Sequence, residues 1–308
     1  MDAGRRATVY LLGTTVFWGS SFLTMKWGAE ALAPATGSAG APAAFLFLRF
    51  SVALAVHGLV FRGSWRRLDL PALRGGVALA MPFYLGFILQ TTGVVETSST
   101  VSAFLTSLMV VLTPVLGLLF FKERLTPPLL AGVAVSIVGV YFLTAPEGGI
   151  GTGEWLTLLC AVAFAVQIQL TNVVTRRHEP EAVTTVMFAC AVVFSGALLA
   201  FHGVTPAALL EGLRAPRALW TVVYTAVFCS VVAIWVLNRY QREISPTRAA
   251  VLYMLEPLFA AVFGATAGGE RLPGRALAGG AIILAGNLLC EWGAIHLARR
   301  RSKVRKDG

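Results

Sequence analysis

The sequence contains few charged residues. Only 13% of its 308 residues are Asp, Glu, Lys or Arg, whereas 56% are hydrophobic and the mean hydropathy is +0.74. Soluble domains carry about 25% charged residues, so the composition excludes an ordinary soluble fold. The alternating polar and apolar positions that are typical of a membrane β-barrel are also missing. The composition therefore indicates a protein whose long apolar segments cross a bilayer as helices.

Clustered metal ligands and enzyme motifs are missing as well. The sequence has four scattered histidines, no Gly-x-Ser-x-Gly and no phosphate-binding loop. Four cysteines lie far apart in apolar segments without metal-ligand spacing, which favours buried free thiols: Cys160, Cys190, Cys229 and Cys290. We therefore expect neither an enzyme nor a metal or cofactor site.

Basic residues outnumber acidic ones, 25 to 15, which gives a net charge of +10. A nucleic-acid-binding domain would gather these residues on one face. Here most of them lie in short connections and tails between apolar segments. The run from Arg299 to Lys306 is typical of a cytosolic anchor that attracts anionic lipid headgroups. We expect a lipid bilayer as partner and no nucleic acid.

Ten apolar segments are separated by Pro, Gly and charged residues. They cover residues 7–29, 43–61, 73–93, 98–121, 128–145, 154–174, 182–202, 217–238, 246–267 and 275–297. The first has no small-residue cleavage site at a suitable place, so we expect a retained helix and not a signal peptide. If the N-terminus is cytosolic, the loops on the opposite side contain only four of the 25 basic residues, which are Arg214, Arg217, Arg271 and Arg275. The positive-inside rule therefore predicts that both termini face the cytosol.

Residues 96–139 return without a gap as residues 243–286, an offset of 147 with 16 of 44 positions identical. Glu123-Arg124-Leu125, for example, returns as Glu270-Arg271-Leu272. We predict two five-helix repeats, 1–147 and 148–297, and a basic cytosolic tail, 298–308. Since five is odd, the second repeat would be inverted, which is typical of secondary transporters. The alternative is an old duplication that was kept only for packing.

Several short motifs carry a family resemblance, and they are spread over nearly the whole chain: Trp18-Gly19-Ser20-Ser21-Phe22, Phe47-Leu48-Arg49-Phe50, Phe104–Leu108 with Pro114, and Leu255-Glu256-Pro257. Together they resemble the EamA-type transporters of the drug/metabolite transporter superfamily. The resemblance implies an all-α membrane protein with ten transmembrane helices in two inverted repeats around a central cavity. It also implies movement of small metabolites, often amino acids or drugs, across the inner membrane.

The two halves differ in the position of one proline. Pro114 lies nine residues before Glu123, whereas Pro257 lies thirteen residues before Glu270. Because proline removes a helix hydrogen bond and kinks the chain, we expect the halves to bend at different depths.

Charged residues inside membrane segments are costly and indicate functional sites. Arg49 needs a carboxylate, carbonyl groups or an anionic substrate, and we expect it to face a pocket or a gate. Glu256 could pair with Arg49 or Lys26, bind a substrate ammonium or exchange a proton; a hydrogen bond at the proline kink is the alternative. Lys26 is either a gate residue or a side chain that reaches the headgroups.

Neutral polar side chains complete the predicted pocket. Tyr84, Phe87 and Gln90 share one helical face. Gln167, rather than Gln169, is expected to face the cavity, because it is equivalent to Ser20 in the repeat. The predicted substrate-binding set is Ser21, Arg49, Tyr84, Gln90, Gln167, Trp235, Tyr253 and Glu256, and the predicted gate or ion-coupling set is Lys26, Arg49 and Glu256.

We therefore predict a secondary transporter of small organic metabolites that works by alternating access in the inner membrane. Export of amino acids or related metabolites is the leading case. A proton-coupled multidrug exporter and a non-transporting membrane scaffold or receptor are the alternatives. Since the chain carries no ATPase motif, a solute or ion gradient would supply the energy. The sequence leaves the oligomeric state open and is compatible with a monomer.

Overall fold

The computed structural model describes residues 3–63, 68–121, 127–144, 150–243 and 252–307. Within these ranges all regular structure is helical, and six segments are long and apolar enough to cross a membrane: 41–60, 70–96, 99–116, 152–171, 180–201 and 216–240. Shorter apolar helices cover 130–144 and 274–289. The prediction of an all-α, multi-pass membrane protein is confirmed. The count of ten spans and the inversion of the second half stay predictions.

The described part of the first half contains six α-helices, which are α1 (Ala3–Thr36), α2 (Ala41–Val60), α3 (Leu70–Glu96), α4 (Ser99–Thr106), α5 (Met109–Phe121) and α6 (Pro127–Thr144). Polar side chains cap the N-termini of α3 and α4. The carboxylate of Asp69 accepts from the Ala72 amide at 2.7 Å, and the hydroxyl of Ser98 accepts from the Val101 amide at 3.1 Å. These bonds satisfy amides that a helix start leaves without a partner.

The second half contains α7 (Thr152–Val174), α8 (Pro180–Phe201), α9 (Pro206–Gly212), α10 (Pro216–Tyr224), α11 (Ala233–Tyr240), α12 (Glu256–Thr266) and α13 (Gly274–Asp307). A π-helix over Thr225–Val232 joins α10 to α11, so that the predicted eighth segment is one continuous but irregular helix. Short π-helical segments are rare and frequently occur at functional sites.

The fourth and ninth predicted segments are interrupted at the same position of the repeat. Helix α5 begins at Met109 and α12 begins at Glu256, 147 residues later. In each case a tight turn precedes the helix, with Leu108 N donating to Leu105 O and Leu255 N donating to Leu252 O, both at 3.1 Å. The helix therefore breaks at the same depth in both halves, and the expected proline bends at different depths stay a prediction.

The prolines do not set the position of the break. Pro114 lies inside α5, whereas Pro257 lies in the first turn of α12, where a proline loses no helix hydrogen bond. The geometry of the tight turn is thus common to both halves although the proline positions differ.

Helices α6 and α13 pack closely through glycines. A Cβ on Gly139 would lie 2.7 Å from the Ile283 amide nitrogen, and a Cβ on Gly286 would lie 2.7 Å from the Gly132 carbonyl oxygen. Only hydrogen fits at these distances, so the glycines let the two backbones touch, as small residues do in membrane helix pairs.

Two buried apolar clusters form the core. One surrounds Phe50, whose ring lies 5.4 Å from those of Phe83 and Phe87 and packs α2 against α3. The other lies around α4, α5 and α13. Trp18 and Phe164 contact both clusters, which places these two side chains at the boundary where the candidate site lies.

Candidate functional site

An internal cavity of about 70 Å³ lies between the two apolar clusters. Its lining consists of Trp18, Ser21, Phe83, Phe87, Thr106, Met109, Phe164, Gln167, Ile168, Thr171, Ile234, Leu237, Gln241, Tyr253 and Glu256. A water molecule occupies about 30 Å³, and sites for organic ligands typically reach about 300 Å³ or more. In this conformation the cavity has room for a few waters, so it must widen to hold an organic solute.

A larger hollow of about 760 Å³ lies between α5, α6 and α7, but it does not have the chemistry of a binding site. Its walls include Ile137 and Tyr141, whose side chains are 64% and 62% exposed. None of its described lining residues is Asp, Glu, Lys, Arg or His. The hollow is an apolar groove on the outer surface of the bundle, so the smaller internal cavity is the better candidate.

The cavity is built from equivalent positions of the two halves. Thr106 and Met109 flank the break between α4 and α5, and their counterparts at the offset of 147, Tyr253 and Glu256, flank the break before α12. All four line the cavity. Solute sites of transporters with internal repeats typically lie at the interface of the repeats, beside interrupted helices.

Glu256 is the only Asp, Glu, Lys, Arg or His among the described lining residues. Its side chain is 8% exposed, and it occupies the first position of α12. There the partial positive charge of the helix start favours a carboxylate. Within the described residues neither Arg49 nor Lys26 pairs with it, because both bond elsewhere. The suggested ion pairs of Glu256 with these two cations are therefore absent from the described structure.

Neutral polar groups also line the cavity. The Tyr253 hydroxyl donates to Gln241 Oε1 at 3.1 Å, whereas the buried Gln241 Nε2 has no partner among the described residues. Ser21, Gln167 and Tyr253 all line the cavity. Gln169 does not line it, since its amide donates to the Thr113 carbonyl at 2.9 Å. The structure thus brings Ser21, Gln167, Tyr253 and Glu256 together.

Three other predicted site residues lie away from the lining. Tyr84 packs its ring 5.5 Å from that of Phe194. Gln90 donates to the hydroxyl of Thr106 at 3.5 Å and so supports the cavity wall from behind. Trp235 donates to Glu181 at 3.1 Å and stacks on Phe61. Helical periodicity identifies which residues share a face, but only packing decides what that face meets.

Arg49 lies behind the cavity wall and is fully buried. Its Nε donates to Ser230 Oγ at 2.8 Å, and its Nη2 lies 3.5 Å from the Cys229 carbonyl oxygen. Both acceptors belong to the π-helix. The Phe87 ring lies 4.7 Å from the guanidinium carbon. No sequence signal indicated the π-helix that holds this side chain.

At one end of the bundle, polar bonds tie together segments that are far apart in sequence. Lys26 Nζ donates to the Thr97 carbonyl oxygen at 2.6 Å, and the Thr97 hydroxyl donates to Glu154 at 2.5 Å. Glu154 also accepts from the Gly151 amide at 2.9 Å. Lys26 therefore joins α1 to the connection between α3 and α4, which is compatible with its expected gate role.

Glu270 joins the two halves at the same end. Its carboxylate accepts from the Ser99 amide at 2.7 Å, the Thr100 amide at 3.1 Å and the Thr100 hydroxyl at 2.7 Å. We call this contact the inter-half cap. Partial burial alone would raise the pKa of Glu270, but these hydrogen bonds outweigh it and lower the pKa below the ordinary 4.5. Gly264 makes room, because a Cβ there would lie 2.5 Å from the carboxylate.

The sequence contained a signal for the inter-half cap. Thr100, Gly264 and Glu270 are all among the positions that the repeat keeps identical, with Thr247, Gly117 and Glu123 as counterparts. Glu123 and Thr247 lie outside the described residues.

Comparison with known proteins gives a double match. The EamA-like transporter family matches residues 5–145 and again residues 151–291. A protein of Archaeoglobus fulgidus named as an uncharacterized transporter is 28% identical over 80% of this chain and 73% of its own length.

Two relatives carry more specific names. A probable terminal-alkyne amino-acid exporter of Streptantibioticus cattleyicolor is 28% identical over 96% of each chain. A probable amino-acid metabolite efflux pump of Salmonella typhimurium is 29% identical over 62% of this chain and 66% of its own. One crystal structure superposes with a TM-score of 0.58 at 19% identity, covering 93% of this chain and 98% of the other. That likeness concerns the fold alone.

Proposed function

Because the chain belongs to the EamA-like transporter family, we propose that it exports a small amino-acid-like metabolite by alternating access. It is a membrane transporter and not an enzyme. The observation that carries the finer proposal is the cavity between the two halves, with one acidic side chain, Glu256, at the start of an interrupted helix. The names of two relatives support amino-acid export as the leading case.

The residues of the cavity suit an ammonium group. A carboxylate that lies 8% exposed in apolar surroundings needs a proton or a cationic partner. The ammonium of an amino acid would supply that partner at Glu256. Tyr253, Gln241 and Gln167 would hydrogen-bond to the solute, and Trp18, Phe87 and Phe164 would enclose its apolar part.

The present conformation suits a closed step of a transport cycle. The cavity of about 70 Å³ is too small for an amino acid, and the inter-half cap holds the halves together at one end. The orientation predicted by the positive-inside rule places this end outside the cell, with both termini in the cytosol of an inner-membrane protein. Opening of the cap would then release a solute to the exterior.

The test is counterflow of radiolabelled amino acids into proteoliposomes, comparing wild type, Glu256→Gln and a matched control, Glu211→Gln. Glu211 is exposed and pairs only with its neighbour Arg214 on the surface. We expect wild type and Glu211→Gln to carry the same solutes, and Glu256→Gln to lose at least about tenfold in rate, since one charged contact is typically worth that much. Equal rates for all three proteins would refute the role of Glu256. Wild-type liposomes no better than empty ones would instead favour a scaffold or receptor.

A second candidate is a proton-coupled multidrug exporter. The Glu256 carboxylate, which shares the cavity lining with aromatic side chains, favours it, because such a carboxylate can bind a proton and an organic cation in turn. A pH dye inside the proteoliposomes separates the two. Proton coupling predicts a pH change when a cationic drug is added, and amino-acid export without coupling predicts none.

A further inference from the structure

The guanidinium of Arg49 is a buried charge that has no balancing anion among the described residues. Among the described residues the ion pairs are Glu211 with Arg214 and Glu243 with Arg239, and Arg49 takes part in neither. Within the part of the chain that the structure describes, its Nη1 has no hydrogen-bond partner, and its Nη2 has one acceptor, at 3.5 Å. An unpaired buried charge is costly, so a conformation in which an anion reaches Arg49 would be favoured.

One aromatic ring contacts both this guanidinium and the cavity. Phe87 lines the cavity, and its ring centroid lies 4.7 Å from the Arg49 guanidinium carbon. The Cys229 carbonyl oxygen, which lies 3.5 Å from Nη2, also accepts from the indole of Trp18, another lining residue, at 3.1 Å. Arg49 is therefore next to the cavity, although it does not line it.

The shape of the free donors suits a carboxylate. Nε is engaged with Ser230 Oγ at 2.8 Å, which anchors the side chain on the π-helix. The two terminal nitrogens remain open or weakly bonded. A guanidinium with both terminal nitrogens available presents parallel N–H groups, and these match the two oxygens of a carboxylate.

We propose that Arg49 is a carboxylate subsite of the transport cavity, that Phe87 covers it in this conformation, and that the transported solute is a zwitterion. Rotation of the Phe87 ring extends the cavity to the guanidinium. The carboxylate of an amino acid then binds Arg49 while its ammonium binds Glu256. The inference rests on the proposed function and deepens it, because it makes Phe87 and Arg49 determinants of specificity for amino acids over plain amines.

The test uses two probes that differ by one group, L-phenylalanine and 2-phenylethylamine, with affinities measured on the purified protein by thermal stabilisation. Arg49→Gln should lower the affinity for L-phenylalanine by about tenfold or more. It should lower the affinity for 2-phenylethylamine by less than about twofold, because only L-phenylalanine carries a carboxylate. Arg49→Lys should recover part of the loss, since an ammonium keeps the charge but not the fork of donors.

The second pair of variants tests the covering ring. Phe87→Ala should raise the affinity for L-phenylalanine relative to that for 2-phenylethylamine by about threefold or more. This gain should vanish in the double variant with Arg49→Gln. Phe83→Ala is the matched control: Phe83 lines the same cavity, 4.8 Å from the ring of Phe87, but the guanidinium lies over Phe50 and Phe87. Phe83→Ala should change both probes alike.

Several results would overturn the proposal. If Arg49→Gln lowers the affinity for both probes equally, Arg49 only supports the π-helix. If Arg49→Gln does not fold, the Phe87→Ala and Phe83→Ala proteins still decide, and an unchanged ratio of the two probes in both would refute the covered subsite. If wild type binds 2-phenylethylamine but not L-phenylalanine, the proposal that the solute is a zwitterion is wrong, while the proposal of transport through the Glu256 cavity stands. If wild type binds neither probe, the amino-acid assignment fails as well.

Discussion

In the first half of the chain the helix breaks just before Met109, and in the second half it breaks just before the equivalent Glu256. The turns have the same hydrogen bond at the same length. The side chains at the break nevertheless differ: Thr106 and Met109 on one side of the cavity face Tyr253 and Glu256 on the other. The repeat thus reproduces the backbone of the break, while the carboxylate at the break belongs to the second half alone.

A second difference concerns how each break is held. In the first half Asn287, from α13, donates to the Ser107 carbonyl oxygen at 3.2 Å and to its hydroxyl at 3.3 Å. Its counterpart at the offset of 147 is the apolar Val140. The second-half break instead has Tyr253 bonded to Gln241. One turn is therefore supported by a neighbouring helix, whereas at the other the side chain of Tyr253 bonds to a second lining residue, Gln241.

The largest expected effect comes from making the second break like the first. Glu256→Met should reduce transport by about 100-fold, because removing one partner of a buried charged contact typically costs about 2–5 kcal/mol. The fold should persist, since methionine is apolar and flexible. Initial rates in proteoliposomes measure the effect, with Met109→Leu as control. A Glu256→Met protein with the wild-type rate would show that the asymmetry of the breaks has no function.

The next effect concerns the glycines that join the ends of both halves. Gly286→Ala should destabilise the protein by about 2 kcal/mol, because the added Cβ would lie 2.7 Å from the Gly132 carbonyl oxygen and would push α13 from α6. Gly13→Ala, where no atom lies within 4 Å of the added Cβ, is the control and should not destabilise. Unfolding in SDS measures both. Equal stability of the two variants would contradict the close packing.

A smaller effect should arise at the inter-half cap. Glu270→Gln should cost about 1 kcal/mol at neutral pH, a value for charge-assisted bonds reduced for partial exposure. Since the pKa of Glu270 is lowered below 4.5 in the folded protein, its contribution is present above about pH 4.5 and is lost as the pH falls through the folded pKa.

Thermal unfolding of wild type and Glu270→Gln from neutral pH to about pH 3 tests this effect. The gap between the two curves should close as the pH falls. Glu123→Gln makes the same change at the counterpart of Glu270 in the repeat. Its thermal unfolding shows whether the two positions contribute equally to stability. A gap that widens at low pH would mean that the carboxylate does not stabilise the folded state.

The smallest effect is expected at the support of the first break. Asn287→Val makes this position resemble Val140 and should cost about 0.5–1 kcal/mol, because the Ser107 carbonyl oxygen loses a donor. The loss is limited, since the variant also removes Asn287 Oδ1, which is buried without a partner. Thr266→Val, an exposed site bonded only within its own helix, is the control. Unfolding in SDS should separate the two, and equal values would show that Asn287 does not support the turn.

Part of the candidate site could be predicted from the sequence. Polar residues in apolar segments are rare enough to point to a cavity, and Gln167, Tyr253 and Glu256 do line one. The same argument did not place Arg49 or Trp235, because a polar side chain in a helix can also bond to a neighbouring helix. Arg49 bonds to Ser230, 181 residues away, and Trp235 to Glu181.

The sequence by itself determined that the chain is helical and crosses a membrane, that it repeats, and that its acidic residue in the ninth apolar segment is Glu256. These conclusions depend on composition, periodicity and identity at a fixed offset, all of which are local or additive properties. Only the tertiary structure decided that both halves break at the same position, that Glu270 caps α4 of the other half, and that the Phe87 ring lines the cavity and contacts Arg49. Each of these depends on how one helix is rotated against another. The many side chains in contact set that rotation together, and no single segment encodes it.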